Sequence, residues 1–226
     1  MKRNARLALL VAAALLGTGA APKTVGWNMT VAETPEGGHL LGNPDAKVRL
    51  VEYVSYASAN SLRFEREAEG QLRLAYVASG KVSFEVRNLV RHPLDLTLAM
   101  LAGCGPKEKF FLNHAALIRS QDRWADMVKR ATPSQRWRWT QNDIPSRNRA
   151  IASDLDLYEV MEVRGYDRLT VDKCLADKAV AARISAQSDA AQDGGIDRVP
   201  AFSINGKLLD IATWAQLRPL LDESLT

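Results

Sequence analysis

The chain has 226 residues, 46% of them hydrophobic and 25% charged, the make-up of an ordinary soluble globular protein able to bury a core without staples. Its formal charge of +4 includes Lys2, Arg3 and Arg6 at the N-terminus, so the remainder is close to neutral. No dense basic stripe with interleaved aromatics runs through that remainder, which argues against nucleic acid as a ligand.

The opening stretch, MKRNARLALLVAAALLGTGAAP, sets those three cations before an apolar run from Leu7 to Leu16 and then small residues from Gly17 to Ala21. This is the three-part pattern of a secretory signal, with cleavage expected after Ala20 or Ala21. The apolar run is shorter than the roughly 20 residues of a spanning helix, so 1–21 reads as a leader and no transmembrane segment is expected after its removal. Val25 to Val31 suits a short edge strand, and Glu33 to Asp45, rich in Gly, Pro and Asp, reads as a loop. Val48 to Val54 is apolar and β-branched, a buried strand. A helical pattern then begins at Ser61 and closes at Gly80. Val82, Phe84 and Val86 alternate with polar residues as in a half-buried strand. Strand, helix and strand together favour a parallel pair with a right-handed crossover.

Residues 94–192 carry few strand signals. The spacing predicts helices over Leu94–Ala102, Lys107–Arg119, Trp124–Arg130, Ser134–Gln141, Arg147–Val163 and Val171–Asp189, with Thr170 and Asp172 available to cap the last. Arg136, Trp137, Arg138 and Trp139 read as part of an amphipathic surface helix, since four residues cannot fill a basic face. After Gly194 and Gly195 the pattern returns to sheet: Ala201 to Ile204, a turn at Asn205-Gly206, then Lys207 to Asp210. Thr213 can cap a final helix through Trp214, Leu217 and Leu221, with Pro219 a kink or an end.

Cys104 and Cys174 are the two cysteines. In an exported chain an even count reads most simply as a structural disulfide, with two free buried thiols or a displaced redox pair as the other readings. Two cysteines and the scattered His39, His92 and His114 do not readily supply a zinc site, and neither a metal nor another cofactor is expected.

The most telling stretch is Val51 to Phe64, VEYVSYASANSLRF, where the strand runs into a helix start at Ser58, Ala59, Asn60 and Ser61. Together with LGNPDAKVRLVEYVSY, GKVSFEVRNLVRHPLDLTLAMLAGCG and DGGIDRVPAFSINGKLLD, it resembles the periplasmic thiol oxidase family DsbA over most of the chain. That resemblance implies an α/β thioredoxin fold with a helical insertion: a thioredoxin-like domain over 22–93 and 193–226, interrupted by 94–192, in a periplasmic protein. It also puts Ser58 and Ser61 where the family carries its attacking and resolving cysteines, and Ala59-Asn60 where Pro-His is common. A helix N-terminus stabilises a thiolate, but serine cannot attack a disulfide or resolve a mixed one, so no catalytic residue is expected. A hydrolytic role for Ser58 would need a nearby base and an oxyanion hole, and no nucleophile motif surrounds it. Capping is the ordinary use of serine at such a junction.

The family's second signature is kept at Val199-Pro200, where the resemblance implies a cis bond facing the helix start. The expected activity is therefore binding of extended or partly folded polypeptides across Ser58, Ala59, Asn60, Ser61, Val199 and Pro200 without redox chemistry. Two alternatives remain: a thiol-disulfide oxidoreductase working through Cys104 and Cys174, or a structural subunit whose insertion docks an envelope partner.

Overall fold

The apolar run Val48–Val54 forms a strand, β3, bonded on both sides at the centre of a six-stranded mixed sheet. In this computed structural model, which describes residues 26–226, the strands are β1 (Val31–Glu33), β2 (His39–Gly42), β3, β4 (Val82–Asn88), β5 (Ala201–Ile204) and β6 (Lys207–Leu209), in the order β1-β2-β4-β3-β5-β6. The leader expected at 1–21 lies outside the described residues. Strands β3 and β4 are parallel, from Val48 opposite Val82 to Val54 opposite Asn88, and all other pairs are antiparallel. Between them the chain crosses over through α1 (Ala59–Gln71), a π-helical turn over Leu72–Tyr76 and a 3-10 turn over Val77–Ser79. Gly80 ends the crossover at φ 74°, a conformation that costs glycine no Cβ clash. Asn205 and Gly206, both at positive φ, close the β5–β6 hairpin as the Asn-Gly dipeptide does in a tight turn.

Two expectations for the N-terminal segment need correction. The edge strand starts at Val31, after a 3-10 turn at Trp27–Met29. The segment read as a loop contains β2, four buried residues bonded between β1 and β4. Its sequence, His-Leu-Leu-Gly, is too short and too enclosed by turn formers to show an alternation.

The insertion is helical: α2 (Pro93–Ala102), α3 (Phe110–Arg119), α4 (Gln121–Arg130), α5 (Pro133–Arg138), α6 (Ile144–Asp154), α7 (Leu157–Val163), α8 (Arg168–Ala176) and α9 (Lys178–Asp193). Every residue of α2 from Asp95 to Ala102 is buried, as suits a helix apolar on all sides, and α3, α6, α8 and α9 pack around it. The helix expected over Arg147–Val163 is broken at Asp156, which takes φ 54°. The one expected over Val171–Asp189 is broken at Asp177, whose carboxylate accepts from Ala179 N and Val180 N at 3.0 Å and so starts α9. The cap of α8 is Asp167, accepting from Thr170 N at 2.7 Å. Asp172 instead receives the Tyr158 hydroxyl. The surface reading of the fourth helix holds for α5, where Trp137 is exposed, while Trp139 just beyond it turns inward and donates to Asp154. The last helix, α10 (Trp214–Leu225), is capped by Thr213 and continues through Pro219, forgoing one main-chain bond. Among the described residues no helix is long and apolar enough to cross a membrane, and no group of three or more His, Cys, Asp or Glu is placed to hold a metal.

Cys104, just past α2, is bonded to Cys174 in α8 across 70 residues, with their Cα atoms 5.5 Å apart. In the chain-entropy account a loop of that length is worth about 4 kcal/mol. Replacing both cysteines by alanine is therefore expected to lower the unfolding free energy in urea by roughly 2–4 kcal/mol, with a larger m-value because the freed unfolded chain exposes more surface; unaltered stability would mean the bond constrains nothing.

Candidate functional site

The central strand delivers its last residue to a short turn, Ser55 to Ala57, and the turn delivers Ser58 to the start of α1. Asp95, buried in the first turn of α2, holds that turn: its Oδ1 accepts from Ser55 Oγ at 2.8 Å and Ala57 N at 3.0 Å, and its Oδ2 from Arg91 N at 3.2 Å. Gln121 adds a second tie, donating to the carbonyls of Tyr56 and Ser58. Ser58 is the N-cap, its Oγ accepting from Ser61 N at 3.3 Å as a capping serine does. Ala59 and Asn60 are exposed, and Ser61 is fully buried with its Oγ unpartnered.

The Val199-Pro200 bond is cis. It lies directly before β5, and Ser58 Oγ donates to the Val199 carbonyl at 3.5 Å. The structure thus brings the tetrapeptide and the Val-Pro turn together, though they are 141 residues apart in sequence. Val199 is itself largely buried. Among the described residues no hydrogen bond reaches its N–H, because the ladder with β3 begins one residue beyond Pro200, at Ala201. Cys104 and Cys174 lie apart from this junction, within the insertion.

Beneath the helix start is a layer of buried ionisable groups that the sequence reading did not single out. Glu52 on β3 is enclosed, one carboxylate oxygen without a partner, and burial, reinforced by the charge of Glu65, pushes its carboxyl well above the usual range. Burial also acts to raise Glu65 on α1, but His114 and Arg119 outweigh it and hold that carboxyl below its ordinary value. The contacts are His114 Nε2 to Glu65 Oε2 at 3.6 Å and Arg119 to Glu65 Oε1 at 3.3 Å. His114 Nδ1 meets the Tyr56 hydroxyl at 3.0 Å, and burial, then Glu65, Glu52 and Asp95, drive the Tyr56 phenol well upward. The one signal available in sequence was Glu52 itself, an acid in the middle of a strand otherwise read as buried and apolar.

The histidines serve elsewhere. His39 stacks on Phe110 with centroids 3.6 Å apart, and burial, then Arg183 and His114, lower it to about 4. His92 precedes α2, with Nδ1 3.6 Å from Asp95. Among the described residues Ser58 has no histidine hydrogen-bonded to it, so the geometry supplies a cap and not an activated nucleophile. A cleft of about 530 Å³ lies on the sheet face beside the end of α9. Its principal charges, Glu85 and Arg87, are paired with each other at 2.7 Å, and it does not reach the tetrapeptide.

The family model described as Thioredoxin matches residues 34–223. The crystal structure of a protein-disulfide isomerase from Novosphingobium aromaticivorans is 44% identical, with a TM-score of 0.80, covering 84% of this chain and 98% of that one. That of Wolbachia pipientis alpha-DsbA1 shares the fold at a TM-score of 0.66 and 20% identity, covering 88% and 96%. A curated Rickettsia bellii protein, inferred to be a protein-disulfide oxidoreductase, is 29% identical over 91 residues, 40% of this chain and 35% of that protein. The match spans about a third of the length of such curated relatives.

Glu52 offers a direct check on the buried layer. A carboxyl raised by burial keeps its proton in the fold after the unfolded chain has lost it, so stability falls as pH rises above about 4.5, up to the folded-state value. Glu52→Gln is expected to be more stable than the parent at pH 7 and to lose that advantage by pH 4, read from urea unfolding at both values. A pH-independent difference would show that Glu52 is ionised in the fold.

Proposed function

The chain belongs to the DsbA-like thiol-disulfide oxidoreductase family of the thioredoxin superfamily, and we propose that it works there without redox chemistry, as an exported periplasmic protein that binds extended or partly folded polypeptide. The observation that carries this reading is the junction itself: a helix start and a cis-proline turn set edge to edge, with Ser58 and Ser61 as the residues that the resemblance aligns with the family's two thiols. Thiol-disulfide exchange requires a thiolate at every step, and a serine hydroxyl has none to offer. What the junction keeps is main chain. The N–H of Val199 and the exposed first turn of α1 suit a strand-like partner whose affinity comes from backbone pairing and apolar contact.

In this reading 1–21 is a cleaved leader, 22–93 with 193–226 forms the binding domain, and 94–192 is an insertion that walls one side of it. An oxidoreductase built on Cys104 and Cys174 is not favoured: Cys104 is 2% exposed, whereas reactive thiols sit in accessible, electropositive settings.

The test is to mix the oxidised protein with a reduced peptide carrying two cysteines and to follow peptide thiols by mass spectrometry and binding by fluorescence anisotropy. The expected outcome is peptide oxidation at the background rate, with binding unaffected by dithiothreitol. Disulfide transfer that disappears in Cys104→Ala would replace this proposal with a relocated redox centre.

A further inference from the structure

On the insertion side of the tetrapeptide a cavity of about 510 Å³ opens between Ala57, the start of α2, and helices α4 and α5, well within the size range of ligand pockets. Ala57 is the residue before Ser58, so the cavity adjoins the junction. Its walls are mainly apolar, with Pro93, Leu94, Trp124, Val128 and Trp139 among them. One feature departs from an inert hydrophobic dent. The charged residues at the wall are Lys129 and Arg136, with His92 beside them, and no carboxylate lines the cavity. Arg136 donates to the carbonyls of Val128, Lys129 and Ala131, and among the described residues it has no carboxylate partner. Lys129 has Asp126 at 3.0 Å, but the two side chains are 75% and 62% exposed, and such a pair holds little.

Resting on the peptide-binding reading above, we infer that this cavity is a specificity pocket for one aromatic side chain of the bound polypeptide, flanked in the peptide by an acidic residue. The ring fills the apolar walls. The neighbouring carboxylate meets the Lys129 and Arg136 rim. The occupant is thus an extended segment of the type aromatic-acidic; a bare hydrocarbon would leave the rim charges unanswered.

Binding of three otherwise identical peptides, centred on Phe-Asp, Phe-Lys and Ala-Ala, is measured by calorimetry. The parent protein is expected to bind Phe-Asp about tenfold or more tightly than Ala-Ala and several-fold more tightly than Phe-Lys. Ala125→Trp, at a half-buried position in the cavity wall, fills the space and should erase the preference for Phe without weakening Ala-Ala binding. Lys129→Glu should erase or reverse the preference for Asp over Lys. Equal binding of all three peptides, or Phe-Asp binding untouched by Ala125→Trp, overturns the pocket and leaves the junction reading standing. Binding of none of them overturns both. A concentration-dependent dimer abolished by Ala125→Trp would assign the cavity to a second copy of the chain and overturn the inference.

Discussion

Asp95 is the point on which the arrangement turns. One buried carboxylate receives a hydroxyl and an amide from the turn after β3 and an amide from the approach to α2, and it sits in the first helical turn, where the aligned peptide dipoles favour an anion. Bonds to a charged acceptor are about twice as strong as neutral ones. Losing the bond from Ser55 would leave a buried hydroxyl with little water to replace its partner. Because the two segments belong to different parts of the fold, this group fixes the sheet's outgoing strand against the insertion. The direction in which Ser58 leaves β3, its reach to Val199 and the walls beside Ala57 all follow from that attachment.

The layer beneath is a second constraint, of a less stabilising kind. Glu52 and Glu65 are both carboxyls in a buried environment, yet their surroundings drive them in opposite directions: one has no counter-charge, the other has His114 and Arg119. An apolar residue of similar volume would cost less than an enclosed acid with an unsatisfied oxygen. Such groups concentrate at functional sites, where proton affinity is set by environment. Here the layer underlies a turn whose hydroxyls neither ionise nor exchange electrons. It makes the underside of the helix start polar.

The fold was legible wherever local chemistry decided it. The β-branched run of β3, the alternation of β4, the glycine that ends the crossover and the Asn205-Gly206 turn each specify their conformation within a few residues. The helix breaks at Asp156 and Asp177 escaped because one or two residues hardly disturb a periodic pattern, and β2 escaped because four buried residues leave no pattern to read. The candidate site divides in the same way. Ser58 to Ser61 and Val199-Pro200 were recognisable as motifs, and the structure sets them in contact. Glu65, His114, Arg119 and Trp124 carry no local signature. Glu65 sits on α1, His114 and Arg119 on α3 and Trp124 on α4, and only tertiary packing makes them neighbours of β3 or of a cavity.

The bond between Cys104 and Cys174 closes a covalent ring that contains α3 to α7 in full and the first part of α8. Within it runs the exposed link between α5 and α6, around Gln141 to Asp143, the kind of surface connection proteases cut first. A cut there would sever the main chain without separating the pieces, since each would keep one of the two sulfurs. The insertion would remain on the protein as a two-chain body, its wall beside Ala57 still tethered, until a reductant reached the disulfide.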